Sequence, residues 1–347
     1  MLNRLIAYSA VSAKVRALWG RRLTGSDYGH MAAMRSVAEL AHYIHSLPRW
    51  GGALTGLDFQ SVSRAALEER LRRHRAEEIL RLYPYLNPAD KDLISFPVLD
   101  VELHQIMRWL RLAGAGRQAE YSYTPPPQLK KFMNINYPAL SNAKTYADLI
   151  ACAGIDYAHV LAKLAPEGGG FPQFTLVETA LLGHYLHSMH NLVLRRKSGS
   201  ERESLLVSIG MRGDLFNISV ISRVLRYHPS MTGSILSFLV PVSAYLRPGF
   251  LKDLCSAKNH DEFMVLLRRS RYKRWLPPDD PTPDRLSVNT RHEFYRRHLH
   301  SAVPSEMTPL SYLYLSELEL ENIIHIVECV RYGVEPAVTM TYVTYRD

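Results

Sequence analysis

The sequence predicts an all-α protein made of three similar helical units. Three observations carry this prediction: helical periodicity along most of the chain, few alternating strand-like runs, and a helix-start pattern that occurs three times about 110 residues apart. The chain has 347 residues, which exceeds the roughly 250 to 300 residues at which a single core stops growing. We therefore expect two or three domains.

Amphipathic segments run through most of the chain. "FQSVSRAALEERLRRHRAEEILRLY" places apolar residues on one side and fills the rest with arginines and glutamates. Those apolar residues are Val62, Ala66, Leu67, Leu71, Ile79 and Leu80. "TLVETALLGHYLHSMHNLVLRR", "DLFNISVISRVLRYH" and "TPLSYLYLSELELENIIHIVECVRYG" follow the same pattern. "VTMTYVTY" alternates like a strand, but Glu335-Pro336 precedes it as a plausible helix start, so we predict a helix there too.

The repeated pattern has the chemistry of a helix N-terminus. Each copy has a cation, then a residue that can cap a helix, then an acid three positions later. The copies are Arg35-Ser36 with Glu39, Lys144-Thr145 with Asp148, and Lys258-Asn259 with Glu262. The capping oxygen accepts a hydrogen bond from a first-turn amide, and the acid bonds back to the amide of the cap. One capping box is common, whereas three at one spacing indicate a repeat.

A second pattern recurs near the end of each unit. Asp214 and Asn217 correspond to Glu319 and Asn322, and an arginine follows each pair at the same distance. In the first unit we align Asp100, with Leu103 where the other copies have Asn; a register shifted by one residue is the alternative. An aromatic residue also follows each helix start: Trp50, Tyr157 and Tyr272.

These repeats predict three helical units, at residues 1–115, 116–228 and 229–347. Two joints support the division. Three consecutive prolines at 125–127 form a stiff extended connector, and Pro229 interrupts a helical pattern.

Composition limits the compartment and the partners. The formal charge of +9 and the pI of about 9.4 favour an acidic partner or an anionic surface. Three widely separated cysteines indicate a reducing compartment and no disulfide framework. No apolar run is long enough to span a bilayer, and the N-terminus lacks the unbroken apolar core of a signal peptide. We expect a cytosolic protein or one peripheral to a membrane.

Sequence motifs for catalysis are missing. There is no Gly-x-x-x-x-Gly-Lys-Ser/Thr loop, no Gly-x-Gly-x-x-Gly after a strand and no Gly-x-Ser-x-Gly elbow. The glycines of "APEGGGFPQF" are flanked by prolines and indicate a surface loop. "GHYLHSMH" spreads His184, His187 and His190 around a helix, so partly buried histidines are favoured over a metal site. A metal-dependent enzyme would need carboxylates from other helices beside His184 or His187.

Two basic runs need separate explanations. "EERLRRHRAEE" alternates cations with glutamates, which predicts a solvated helix face with ion pairs four residues apart. "RRSRYKRWLPPDD", with its basic stretch at 268–275, is the better nucleic-acid candidate, because cations bind phosphates and aromatic rings stack on bases. However, Tyr272 aligns with the aromatic residues of the other two units, which favours packing for that ring.

The opening of the chain resembles a family of V-type ATPase rotor subunits, designated by the letter C in prokaryotes and d in eukaryotes. The resemblance lies in a first helix, a Leu–Asp–Tyr turn and a Lys/Arg-Ser-x-x-Glu-Leu helix start. The matching residues are Tyr8, Lys14, Arg16, Leu23, Asp27, Tyr28, Arg35, Ser36, Glu39 and Leu40. "NYPALSNAKTYADLIACAGIDY" and "ELELENIIHIVECVRYGVEP" are similar to the middle and final segments of the family, so the resemblance covers nearly the whole chain.

The resemblance implies a fold of three helical domains about a pseudo-threefold axis, shaped as a funnel. It also implies a non-catalytic subunit that binds no nucleotide or other cofactor. Such a subunit joins the central shaft subunits to the membrane proteolipid ring and couples rotation to proton or sodium transport. It sits peripherally, at the cytoplasmic face of the membrane, without spanning it. The basic stretch at 268–275 lies outside the motifs of the family.

Two interpretations of the three helix starts follow. Either they lie near the surface that binds the shaft, where helix amides meet polar groups, or they only cap buried helices. The runner-up function is a basic helical-repeat scaffold that binds nucleic acid, which would need a continuous basic groove with exposed aromatics. We expect the rotor subunit, and no nucleic acid.

Overall fold

The computed structural model of the chain describes residues 2–86, 91, 95–127, 129–278 and 282–345. Helix accounts for 72% of the structure, and these described ranges contain no strand. The all-α prediction is therefore confirmed.

Fifteen α-helices lie in the described ranges. The first eight are α1 Leu2–Trp19, α2 Gly25–Ala32, α3 Val37–Ser46, α4 Arg64–Leu82, α5 Ser95–Gly114, α6 Tyr137–Asn142, α7 Tyr146–Cys152 and α8 Gly154–Ala162. The others are α9 Phe174–Arg196, α10 Gly199–Tyr227, α11 Pro248–Cys255, α12 His260–Leu267, α13 Pro283–Leu299, α14 Met307–Arg331 and α15 Pro336–Tyr342. One 3₁₀ segment, Arg271–Trp275, is used below.

The chain forms two compact units. The first contains residues 1–95, 126–129 and 288–347, and the second contains residues 96–125 and 130–287. The three-unit division at 115 and 228 comes from the sequence repeats and stays a prediction.

The first unit is built on α14. This helix is apolar on almost every side, which is typical of a helix that neighbours surround, and its buried residues run from Met307 to Val330. It packs against α1, α2, α3, α4 and α15. Leu320, Ile323 and Ile326 of α14 join Leu40 and Ile44 of α3 in the core of this unit.

The second unit is built on α5, α9 and α10. Ile106 and Trp109 of α5 pack with Leu149 of α7, and Leu181 of α9 joins the same core. α10 is the one described helix that is long and apolar enough to cross a membrane, but 67% of its apolar stretch is buried within the protein. That burial is typical of the core helix of a soluble domain.

Most local predictions are confirmed. α15 begins at Pro336, as the Glu335-Pro336 pair predicts. The glycines at 168–170 are exposed in a loop between α8 and α9.

The solvated face predicted for "EERLRRHRAEE" needs a correction. Ion pairs four residues apart are present, with Arg72 Nε 2.8 Å from Glu68 Oε1. His74, Arg75 and Glu78, however, are each less than 10% exposed. These three side chains are buried because α4 packs against α14. Arg75 donates to the Leu313 carbonyl of that helix, and Glu78 accepts from the Tyr312 hydroxyl.

Candidate interaction site at three helix starts

The first predicted helix start has the expected capping geometry. Ser36 has extended backbone angles, and its Oγ accepts a hydrogen bond from the Glu39 amide at 3.1 Å. Glu39 Oε2 reaches back and accepts from the Arg35 amide at 2.9 Å. Two backbone donors at the start of α3 are therefore satisfied by side chains.

The second start repeats this geometry in α7. Thr145 Oγ1 accepts from the Asp148 amide at 3.1 Å. Asp148 Oδ2 accepts from the amides of Lys144 and Thr145, at 3.0 and 2.9 Å. Those two amides hold the pKa of Asp148 below its usual value, because they stabilise the ionised carboxylate.

The third start repeats it again in α12. Asn259 Oδ1 accepts from the Glu262 amide at 2.9 Å, and Glu262 Oε2 accepts from the Lys258 amide at 2.8 Å. All three predicted caps are therefore real, and in each copy the acid binds the amide of the cation that precedes the cap.

The side chains at the three starts are exposed. This holds for Arg35, Ser36, Glu39, Lys144, Thr145, Asp148, Lys258, Asn259 and Glu262. Within the described ranges, the cations Arg35, Lys144 and Lys258 form no ion pair, since only their backbone amides serve the cap. Each helix start therefore has a hydrogen-bonded turn and one exposed cation that forms no ion pair with the described residues.

A buried carboxylate binds the loop that precedes each helix pair, meaning α2 with α3, α6 with α7, and α11 with α12. Asp214 Oδ2 accepts from the amides of Tyr245 at 2.7 Å and Leu246 at 3.3 Å, just before α11. Glu319 Oε2 accepts from the Leu23 amide at 3.1 Å, just before α2. Both acids belong to the second repeated pattern, so that pattern positions the segments that carry the helix starts.

The first copy of that pattern is Glu102, not Asp100. Glu102 Oε1 accepts from the amides of Asn134 and, at 3.0 Å, Ile135, just before α6. Asp100 instead lies 2.7 Å from Arg212 Nη2. The register predicted for the first unit is therefore off by two residues, and polar Gln105 takes the place aligned with Asn217 and Asn322.

The aligned aromatic residues pack in the core, as predicted for Tyr272. Trp50, Tyr157 and Tyr272 are each at most 1% exposed. Trp50 Nε1 donates to Glu319 Oε1 at 2.6 Å, and the Tyr272 hydroxyl donates to Asp214 Oδ2 at 2.8 Å. The Tyr157 hydroxyl donates to the Leu99 carbonyl at 3.1 Å. Each aromatic residue is thus hydrogen-bonded to a long helix: Trp50 to α14, Tyr157 to α5 and Tyr272 to α10.

Two histidines of "GHYLHSMH" have side-chain contacts, His184 with aromatic rings and His187 with an amide. The His184 ring lies 6.1 Å from the Tyr157 ring and 4.9 Å from the His159 ring, measured between centroids. His187 Nε2 is 2.9 Å from Asn191 Nδ2. Among the residues that the structure describes, no group of three or more His, Cys, Asp or Glu side chains is arranged to hold a metal ion.

The basic stretch at 268–275 does not expose aromatic faces. Tyr272 is fully buried and Trp275 is 5% exposed, whereas the cations around them face solvent. The aromatic stacking platform that a single-stranded nucleic-acid site needs is therefore not available at this stretch.

Comparison with known proteins identifies the family. Residues 11–342 match the family described as ATP synthase (C/AC39) subunit. No curated protein shows significant similarity to the chain. The family match spans nearly the whole chain and includes all three helix starts and all three buried carboxylates. The chain therefore belongs to the ATP synthase (C/AC39) subunit family, whose members are non-catalytic V-type ATPase subunits.

Proposed function

We propose that this protein couples the central shaft of a rotary V-type ATPase to its membrane ring, at the cytoplasmic face of the membrane. The observation that carries the proposal is the family match over residues 11–342. The protein itself performs no chemistry in this proposal. Its contribution is mechanical, because torque passes between the shaft and the ring through its contacts while ATP drives transport of protons or sodium ions.

Each of the three helix starts suits a contact with the shaft. A surface that transmits torque must keep its shape under shear, and each start is fixed by a reciprocal cap. Each start also leaves one cation for a partner, at Arg35, Lys144 and Lys258. Pairing with carboxylates of the shaft would use charges that the fold leaves free.

The test of the coupling role is purification of the tagged full-length protein from gently solubilised membranes of its own host. Recovery of the proteolipid ring and central shaft subunits in stoichiometric amounts is the expected result. Recovery of nucleic acid without ATPase subunits would overturn the proposal and support the scaffold alternative.

Charge neutralisation tests the role of the helix starts. The variant R35Q/K144Q/K258Q keeps every backbone hydrogen bond of the caps, so we expect a folded protein that captures less of the shaft. The control R70Q/R81Q/K163Q removes the same charge from three exposed cations elsewhere. If both variants capture the shaft as the wild type does, the helix starts are structural caps only.

A further inference from the structure

The segment of α11 and α12 carries a positive charge that its two counterparts lack. Residues 247–274 contain eight Lys and Arg residues against three Asp and Glu residues. Residues 24–50 and residues 136–163 each contain two cations and two acids. All three segments have a capped helix start and a buried aromatic residue (Trp50, Tyr157 or Tyr272), so the shared structure does not need the additional charge.

These cations are available to a partner. All eight are exposed, and none of them forms an ion pair with a carboxylate in the described part of the chain. Five of them lie within residues 268–274, which we call the basic strip. The three acids, Asp253, Asp261 and Glu262, offset only part of this charge, and eight cations less three acids leave the segment with a formal charge of +5.

Buried contacts with α10 and with aromatic rings fix the position of the basic strip. Tyr272, inside the strip, is fully buried and donates to Asp214 of α10 at 2.8 Å. The guanidinium carbon of Arg271 lies 4.3 Å from the centre of the Tyr245 ring, and that of Arg274 lies 3.7 Å from the centre of the Trp275 ring. Two planar guanidinium groups are thus positioned in advance, which lowers the entropy lost when they bind.

We propose that the basic strip is a docking site for an acidic segment of a partner protein, whose carboxylates pair with Arg271 and Arg274. A planar guanidinium in a fixed orientation can bind a carboxylate through two parallel hydrogen bonds, and the partners that the proposed function supplies are other protein subunits, so an acidic protein segment is the occupant that fits. An anionic membrane requires only charge, and single-stranded nucleic acid requires exposed rings, which are buried here. The inference rests on the proposed function in one respect, since it places the acidic segment on another subunit of the ATPase complex.

Photo-crosslinking locates the partner. A photoreactive amino acid at Lys273, in the tagged full-length protein, is activated in native membranes before purification. We expect a cross-link to an acidic segment of another ATPase subunit. A cross-link to lipid or to nucleic acid, or no cross-link from a complex that purifies intact, would overturn the docking proposal.

Two sets of variants test the chemistry. R268Q/R269Q/K273Q removes three charges from the strip, and R70Q/R81Q/K163Q is the matched control. R271K/R274K retains both charges but loses the two-pronged geometry. We expect the cross-link yield from a probe at Val265, an exposed residue of α12 outside the strip, to fall roughly tenfold in R268Q/R269Q/K273Q and in R271K/R274K, because a tenfold change corresponds to the loss of about one good polar contact. Unchanged yield with R271K/R274K would overturn carboxylate pairing.

The two proposals fail in different ways. If the wild type brings down no ATPase subunit, the coupling role is wrong. The docking site then stands only if the Lys273 probe still maps to an acidic protein segment and R271K/R274K abolishes that cross-link. If the ATPase subunits are recovered but the strip variants behave like their control, the coupling role stands and the docking site is wrong.

Discussion

Arg49 lies buried between two carboxylates that come from different helices. Its Nη1 is 3.1 Å from Glu319 Oε1, and its Nη2 is 3.3 Å from Glu78 Oε2. Burial alone would lower the pKa of Arg49, but the two carboxylates together raise it above its ordinary value. One guanidinium cannot neutralise both acids. Burial opposes ionisation of Glu78, yet Arg49, Ser316 and Tyr312 hold its pKa low, whereas burial dominates at Glu319 and raises its pKa.

Replacing Arg49 by Met should destabilise the protein strongly. The change leaves two buried carboxylates without their cation, which typically costs about 3 to 5 kcal/mol. Urea unfolding at pH 7 measures the loss. As a control, Arg73→Met breaks the partly exposed Arg73–Glu77 pair and should cost at most about 1 kcal/mol. Equal losses in the two variants would show that the buried cluster contributes no more than a surface pair.

Glu102 should make stability depend on pH. Burial raises its pKa from 4.5 to about 6, although the amides of Ile135 and Asn134 favour the ionised form. The folded state therefore holds the proton more tightly than the unfolded state. The contribution of protonated Glu102 to the free energy of unfolding is fully present below pH 4.5 and is lost as the pH rises through about 6. The change amounts to about 2 kcal/mol.

The variant Glu102→Gln isolates this contribution. It keeps a side-chain oxygen for the two loop amides but removes the titration. Urea unfolding at a series of pH values between 4.5 and 6.5 should show a free energy of unfolding that falls more steeply for the wild type than for the variant. Parallel curves would mean that Glu102 has an ordinary pKa in the folded protein.

At the scale of elements, the sequence predicted what is local. The starts of α3, α7 and α12 were found because a cap and its acid are only three residues apart, as with Ser36 and Glu39. The sequence does not predict the link from Arg49 to Glu78 and Glu319, because these residues are far apart in the chain and many similar charges of the sequence lie on the surface. The sequence does not indicate the register of Glu102, because Gln105 stands where the other two copies have Asn.

The loop before α11 approaches α10 at two glycines. A Cβ atom on Gly213 would lie 2.0 Å from the Val242 carbonyl oxygen, and one on Gly210 would lie 2.5 Å from the Ser243 carbonyl carbon. Both contacts involve backbone atoms, which cannot move aside as a flexible side chain does. This close approach brings the amides of residues 244–246 within reach of Asp214.

Gly213→Ala should therefore destabilise the second unit. Alanine favours a helix over glycine by about 1 kcal/mol, but displacing the loop should outweigh this gain and give a net loss of about 1 to 3 kcal/mol. The control is Gly183→Ala in α9, where the new Cβ would have its nearest neighbour at 3.7 Å. Urea unfolding should show a gain for Gly183→Ala and a loss for Gly213→Ala. A gain for both would mean that the loop adjusts freely.

At the scale of the whole molecule, the repeats and the compact units do not coincide. Glu102 lies in the first predicted sequence unit but holds a loop of the second, and Asp214 of the second holds a loop of the third. Glu319, near the end of the chain, holds Leu23 near its beginning. Sequence repeats show which segments are alike, but which copies pack together depends on long-range contacts that periodicity does not encode.

A side-chain amide closes a loop in each compact unit. In the first unit, Asn322 donates to the Thr344 carbonyl at 2.8 Å and accepts from the Thr344 amide at 3.2 Å. In the second, Asn217 makes the same pair of bonds with Val240, at 3.0 and 2.9 Å. Asn322 and Asn217 occupy equivalent positions of the second repeated pattern, so the same substitution can be made in each unit.

Replacing each asparagine by alanine should loosen one unit at a time. Replacing Asn322 removes the two hydrogen bonds that its side chain makes with the Thr344 backbone, at a cost of about 1 to 3 kcal/mol. Amide hydrogen exchange in that variant should accelerate in α2, α14 and α15, which pack together in the first unit. Asn217→Ala should instead accelerate exchange in α10 and in residues 239–246 of the second unit. Equal acceleration throughout the chain in both variants would instead mean that the asparagines do not stabilise their units separately.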